Sequence, residues 1–278
     1  MTIRRPLVWT SIVAAATALP ISMSSAGEVD FGAISKSALS PQGSGVILIA
    51  ASGQGGEGGE AGVVAANLGS DPVAYLTALD IIRGHELAGR DIYAAGDKPA
   101  AIELFEHAIS ETYDLLAPAM TKLGVPDIRA ALEATVQKAK TGATPEELAK
   151  AVGLATAALD SAGNGKPKSA QSDPQIDATV VTGMLKRVVS NFEVVASKQD
   201  GEAYIDGFGF LAAAKARSER LRPVLTRADA TGMKKLDDAL AALTDIFPGA
   251  KMPEHNAVKP GPILAKVSKA MFMLSDLH

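Results

Sequence analysis

The chain has 278 residues, of which 47% are hydrophobic and 4% aromatic, and its formal net charge at pH 7 is −4. A chain of this length can bury one or two sizeable cores. Its acidic balance gives no broad electrostatic support to a nucleic-acid partner. The sequence contains no cysteine, which excludes disulfides, thiolate metal sites, iron–sulfur clusters and a cysteine nucleophile.

The first 26 residues follow the order of a secretory signal peptide. Arg4 and Arg5 give a charged start, residues 10–21 are largely apolar, and the stretch ends in the small residues SMSSA. We therefore predict export to the periplasm with cleavage near Ala26. The apolar stretch is shorter than the ~20 residues of a membrane span, and Pro20 interrupts it. No stable membrane insertion is expected after cleavage.

Residues 27–70 are predicted to form a flexible, Gly/Glu-rich tail. The stretch ASGQGGEGGEAG at 51–62 contains six glycines. Ordering so many glycines costs conformational entropy that only extensive contacts offset. A composition of this kind is typical of linkers.

From Asp71 onward the sequence predicts helices, because alanine and leucine are abundant and no alternating strand pattern occurs. Asp71-Pro72 is a helix start signal, and Thr144 with Glu147 predicts a capping box. The helices are expected at about 72–95, 98–123, 128–140, 145–162, 175–198, 202–225, 229–246 and 260–277.

A polar linker at 163–174, GNGKPKSAQSDP, separates two helical blocks at 71–162 and 175–278. The second helices of the two blocks can be aligned so that Pro118 meets Pro223. We therefore predict an all-α fold of two tandem antiparallel four-helix units, an internal repeat, behind a disordered N-terminal segment.

One histidine lies within IIRGHELAGRDIY, at 81–93, on the apolar stripe of the first helix. This residue, His85, is therefore expected to point inward. Gly84 and Gly89 each cost about 1 kcal/mol inside a helix, which close approach of another helix or a bulky neighbour would offset. His85 is either a core residue hydrogen-bonded to the next helix or a ligand.

A second histidine, His107, lies in line with Glu103, Glu111 and Asp114 on the second helix. This spacing places imidazole and carboxylate groups side by side, a pairing that suits iron, zinc or copper. The alternative is an ordinary solvated acidic face, which is common on exposed helices.

The two histidines are equally far from the turn between their helices. His85 lies 11 residues before Gly96 and His107 lies 11 residues after it, so both are expected at the same height of a helical hairpin. The sequence therefore predicts a metal site formed by His85, Glu86, His107 and Glu111, for iron or another transition metal. Two facing histidines also suit haem iron, which we favour less.

Three segments resemble known families. GHELAGRDIYAAGD followed by FEHAISETYDLLAPAM resembles exported bacterial helical proteins that carry a stretch such as GQGGEGGEAG ahead of it. DGEAYIDGFGFL is similar to the extracytoplasmic helical region of high-affinity iron permeases, although the chain lacks their membrane spans and Arg-Glu-x-x-Glu motif. Gly84-His85 resembles the G-x-H motif of imelysin-like periplasmic proteins, without its spacing. These resemblances, over about 75–120 and 185–225, favour iron as the metal.

The motif content does not favour an enzyme. The sequence has no G-x-S-x-G, no H-E-x-x-H, no phosphate loop and no dinucleotide fingerprint, although a constellation assembled only in space would escape this test. We predict a periplasmic, non-enzymatic binding protein for iron or another transition metal. The alternative is a structural or protein-interaction module with an envelope protein partner and no bound metal. His255 and His278 are weaker candidate ligands.

Overall fold

The computed structural model describes residues 64–228, 230–254 and 259–277. The predicted signal peptide and residues 27–63 of the predicted tail lie outside the described residues, as do His255 and His278. Every regular element of the described part is a helix, which confirms the all-α fold class.

The helices follow one another with short connections, and a short 3₁₀ helix, Ala65–Asn67, precedes them. A π-helical segment, Ala108–Tyr113, joins the helix Lys98–His107 to the helix Asp114–Leu123 without a break, so the two form one long helical rod. The helices are α1 (Pro72–Ala94), α2 (Lys98–His107), α3 (Asp114–Leu123), α4 (Arg129–Lys140), α5 (Pro145–Gly163), α6 (Asp173–Lys198), α7 (Gly201–Ala228), α8 (Ala230–Ile246) and α9 (Pro260–Ser275).

The helix starts follow from their capping residues. The Asp71 carboxylate accepts a hydrogen bond from the N–H of Val73, as the start signal predicts. At α5 the N–H of Thr144 donates to the Glu147 carboxylate at 2.9 Å, and the Glu147 N–H donates back at 3.3 Å. The predicted capping box is therefore confirmed. A second box, which the sequence analysis missed, starts α6 at Ser172.

The π-helical segment is the main departure from the expected helices, because a continuous α-helix was predicted over 98–123. In this segment the hydrogen bonds span five residues instead of four. The segment ends at Tyr113, whose ring is buried and whose hydroxyl donates to Asp127, in the loop before α4. Insertions of this kind often occur at functional positions.

Each half of the described chain repeats one pattern of neighbours. In the first half α1 packs against α2 and α5, and α4 packs against the same two helices. In the second half α6 packs against α7 and α9, and α8 packs against the same two helices. The described helices belong to one compact unit, so the division into two four-helix units and their origin as an internal repeat stay predictions.

A continuous hydrophobic core joins the two halves, because α1 packs along both α6 and α7. The core contains Leu79 and Leu116 from the first half together with Met184 and Phe210 from the second. A smaller cluster around Phe105 lies between α1, α2, α4 and α5. The core therefore encloses α1 on most of its sides.

All four tyrosines have buried rings, and each hydroxyl donates a hydrogen bond to a group in a loop or near the end of a helix. Such a ring contributes apolar burial while its polar tip still finds a partner. The hydroxyl groups donate from Tyr75 to the Ala162 carbonyl, from Tyr93 to the Ala143 carbonyl, from Tyr113 to the Asp127 carboxylate and from Tyr204 to the Gly249 carbonyl.

Candidate functional site

The candidate site begins on α1, the helix that contacts both halves of the described chain. Its buried polar side chains are Thr77, Asp80, Arg83, His85 and Glu86. A buried polar group is costly unless another group satisfies it. The position of each partner therefore decides what this helix can do chemically.

His85 faces α7. Its imidazole is 3% exposed, and Nε2 lies 3.7 Å from Oδ1 of Asp206. The ring also packs against the ring of Phe210, with centroids 6.0 Å apart. The nitrogen–oxygen distance is longer than a hydrogen bond, so this contact is electrostatic and strongest when the imidazole is protonated. The inward orientation predicted for His85 is confirmed, and its carboxylate neighbour belongs to the second half.

Glycines allow the two helices to approach closely beside His85. A Cβ atom on Gly209 of α7 would lie 2.7 Å from the carbonyl oxygen of Gly84, and one on Gly84 would lie 3.1 Å from the backbone of Gly209. At Gly89 a Cβ atom would instead lie 2.6 Å from the ring of Phe105. The two predicted reasons for glycine in this helix, a close helix and a bulky neighbour, are both confirmed.

Glu86 faces a different part of the core from its neighbour His85. It is fully buried, and the hydroxyl of Thr135 on α4 donates to its Oε1 at 3.2 Å. Its Oε2 has no hydrogen-bond partner among the described residues. Burial raises the pKa of Glu86 to about 8, an effect that the Thr135 hydroxyl offsets only in part. Glu86 is therefore a neutral carboxylic acid at pH 7.

His107 lies at the end of α2, where the π-helical segment begins. Its Nε2 is 4.0 Å from a carboxylate oxygen of Glu103, and its Nδ1 is 3.9 Å from one of Glu111. The imidazole is about one-third exposed, and both carboxylates are accessible to solvent. The predicted line of alternating carboxylate and imidazole groups is confirmed at these three positions.

Carboxylates of α7 lie close to the same region. Burial raises the pKa of Glu202, the nearby Asp206, Asp200 and Glu103 raise it further, and His107 lowers it. Glu202 precedes Asp206 by one helical turn. This face of α7 therefore connects the surroundings of the two histidines, since Asp206 contacts His85 and Glu202 interacts electrostatically with His107. Sequence analysis missed Glu202 and Asp206, whose spacing of four residues was the available signal.

The structure brings together part of the predicted four-residue site. His107 and Glu111 are neighbours, whereas His85 contacts Asp206 and Glu86 contacts Thr135. Across the described ranges, no group of three or more histidine, aspartate or glutamate side chains is placed to hold a metal ion. Metal binding stays a prediction.

A second polar cluster, which the sequence analysis did not identify, lies where α1, α6 and α7 meet. Two guanidinium nitrogens of Arg217 donate to the Asp80 carboxylate at 2.7 and 2.9 Å, and a third donates to Asp177 at 2.9 Å. Burial would lower the pKa of Arg217, but these two carboxylates outweigh it and the pKa is raised. Arg83 forms ion pairs with two carboxylates of the same cluster. Its guanidinium group lies 3.4 Å from Asp80 and 2.7 Å from Asp160.

A surface groove of about 380 Å³ runs beside the π-helical segment, between it and α4. Its lining combines apolar side chains with carboxylate, hydroxyl and amide groups. The lining residues are Glu106, Ile109, Ser110, Glu133, Val136 and Gln137.

No helix in the described part of the chain combines the length and the apolar character needed to cross a bilayer. Comparison of the chain with protein-family models, with curated proteins and with solved structures gives no match in any of the three.

Proposed function

We propose that this chain is a periplasmic, non-enzymatic binding protein for a transition-metal ion, iron among them. The observation that carries the proposal is the position of His107 between Glu103 and Glu111, with nitrogen–oxygen distances of 4.0 and 3.9 Å. Imidazole and carboxylate groups together suit iron, zinc and copper. The signal-peptide pattern predicted for the first 26 residues supports the periplasmic location.

The present positions of the described side chains form no group of three that would hold a metal ion, so metal binding requires the groups around His107 to move closer. An ion bound tetrahedrally with bonds of 2.0–2.2 Å holds its ligand atoms about 3.4 Å apart. The Glu103 or Glu111 carboxylate therefore needs to move by only about half an ångström toward the imidazole. Both side chains are exposed enough to make that movement.

Glu202, whose pKa His107 lowers, would supply the further ligand that two groups on one helix lack. Its raised pKa reflects burial and repulsion by Asp206, Asp200 and Glu103, and a bound cation would relieve that repulsion. The ligand set we favour is therefore His107 with Glu103 or Glu111 and with Glu202. Because protons compete with a metal ion for its ligands, metal binding should strengthen as the pH rises.

The other two residues of the predicted site have different positions in this proposal. His85 reaches the site only through Asp206, and an electrostatic contact with that carboxylate orients it. Glu86 is neutral and lies against Thr135. Loss of the Glu86 carboxyl group is therefore expected to affect stability more than metal affinity.

Metal content and affinity test the proposal. Protein purified from the native envelope should contain metal by elemental analysis, and a His85→Ala/His107→Ala double variant should contain less. In titrations with Zn²⁺ and Fe²⁺, His107→Ala and Glu202→Gln should each weaken binding at least tenfold. Glu219→Gln, an exposed carboxylate of the same helix paired with Arg222, is the matched control. Metal-free native protein, or equal affinity in His107→Ala, would contradict the proposal.

A second candidate, an interaction module of the cell envelope, is supported by the groove beside the π-helical segment. A photo-crosslinking residue at the exposed Ser110 should then capture one envelope protein, and the same residue at Lys234, on the exposed face of α8, should not. In this case no metal is bound and His107→Gln is tolerated. Equal crosslinking from both positions would sink this candidate.

A further inference from the structure

A small polar cavity lies between α1, α5 and α7. Its volume is about 160 Å³, and charged side chains form nearly all of its lining. The lining residues are Asp80, Arg83, Asp160, Ala216, Arg217 and Arg220. Three guanidinium groups around one small cavity are an arrangement that binds oxyanions.

One carboxylate oxygen holds two of these arginines together. Oδ1 of Asp160 accepts a hydrogen bond from Nη2 of Arg83 at 2.7 Å and another from Nη2 of Arg220 at 2.7 Å. Both bonds are short and charge-assisted. Asp160 thus occupies the position that an oxygen of an external anion would take between the two guanidinium groups.

The remaining charges leave the cavity positive once Asp160 is removed. Arg217 is already bound by Asp80 and Asp177, so its charge is compensated within the core. Arg83 has a weaker second contact, to Asp80 at 3.4 Å. The guanidinium groups of Arg83 and Arg220 are therefore the two that a new anion would pair with.

Asp160 is also the most accessible member of the cluster. Its side chain is 53% exposed in the last turns of α5, whereas that of Arg83 is 10% exposed. Solvation of the Asp160 side chain weakens its ion pair with Arg83. Rotation of Asp160 into solvent therefore costs little, provided that another anion compensates the more deeply buried Arg83.

We propose that Arg83 and Arg220 form a binding site for a phosphate group, and that Asp160 closes the site as an internal competitor. The ligand is inorganic phosphate or a small phosphomonoester, since both present oxygens that pair with two guanidinium groups at once. The site shares no residue with the proposed metal ligands and does not depend on them: Arg220 lies on α7, as Glu202 does, but 18 residues farther along the chain.

Calorimetric titration of the full chain with phosphate tests the site, in the presence of a chelator and at ionic strength held constant with NaCl. Asp160→Ala removes the competitor and should bind phosphate at least tenfold more tightly than the wild type. Adding Arg220→Gln to Asp160→Ala should abolish the gain. Titration with glycerol 3-phosphate distinguishes the free anion from a phosphomonoester as the preferred ligand.

Arg222→Gln in the Asp160→Ala background is the matched control. Arg222 lies on the same helix, is 41% exposed against 40% for Arg220, and is likewise paired with carboxylates. It should leave phosphate affinity unchanged. Lack of saturable binding in Asp160→Ala, or equal losses from Arg220→Gln and Arg222→Gln, would overturn the proposal.

Discussion

Asp80 and Glu86, the two buried carboxyl groups of α1, differ in whether an opposite charge lies beside them. The Asp80 carboxylate is held by two nitrogens of Arg217, which Asp177 also binds. Glu86 is fully buried and its Oε1 accepts only the hydrogen bond that Thr135 donates. The Asp80 carboxylate has an opposite charge beside it, whereas burial without such a partner raises the pKa of Glu86 to about 8 and the group keeps its proton.

The largest loss of stability is expected when the ion pair between Asp80 and Arg217 is broken. Arg217→Met leaves Asp80 buried without its main partner, which typically costs about 3–5 kcal/mol. Urea denaturation at pH 7 measures the loss. Arg222→Met, which removes an exposed arginine of the same helix, should reduce stability far less, because solvent screens exposed ion pairs.

A second substitution sharpens that result. Adding Asp80→Leu to Arg217→Met removes the stranded carboxylate and should recover much of the lost stability, because buried ion pairs and apolar replacements are often close in free energy. If Arg217→Met alone lost less than about 1 kcal/mol, the charges of this ion pair would not be compensated as described.

The next largest effect is expected in how stability depends on pH through Glu86. The pKa of Glu86 is raised from 4.5 to about 8 in the folded protein, so the folded state holds a proton that the unfolded state releases above pH 4.5. Glu86 therefore lowers stability as the pH rises from about 4.5 to 8, by about 1.4 kcal/mol per pH unit. Glu86→Gln removes this loss, and its stability advantage over the wild type should grow with that slope between pH 5.5 and 7.5. A constant difference would mean that Glu86 is ionised in the core.

Gly84 lies between the two carboxyl groups, where α1 crosses α7. Gly209→Ala places a Cβ atom 2.7 Å from the Gly84 carbonyl oxygen, so the helices must separate. Overpacking of this kind costs about 1–3 kcal/mol. Gly153→Ala is the control, because its Cβ atom meets nothing within 4 Å and should stabilise α5 by roughly 0.5–1 kcal/mol. Equal effects in urea denaturation would show that the crossing has room to spare.

The smallest effect is expected at an ion pair that lies entirely at the surface. Lys234 and Asp238 are one turn apart on α8, and both side chains are at least half exposed. Lys234→Gln should change stability by no more than about 0.5 kcal/mol, and added salt should remove the difference. If Lys234→Gln reduced stability as much as Arg217→Met, burial could not be the reason why the two ion pairs differ.

Local signals predicted the local features of this molecule. Asp71, Thr144 and Glu147 start their helices as expected, and the glycines beside His85 indicated a tight helix contact. The sequence did not reveal which helix makes that contact, because α7 lies more than 100 residues away along the chain and only tertiary packing selects it.

Long-range pairing also explains what was missed at the site. The partners of α1 charges, Asp206 and Arg217, carry no local pattern that connects them to His85 or Asp80. The sequence likewise placed Glu86 with His85 because they are adjacent, although adjacent residues of a helix point about 100° apart. The π-helical segment escaped prediction because AISETY contains neither glycine nor proline.

That segment has a consequence for the alignment of related chains. A π turn holds one residue more than the α turn it replaces, so deleting one residue from Ala108–Tyr113 would restore a regular helix. Because the extra residue is taken up within one widened turn, the helices on either side would keep their orientation, with His107 and Leu116 on their present faces. A one-residue gap at this position in a related chain would therefore remove the π turn and leave the flanking faces unchanged.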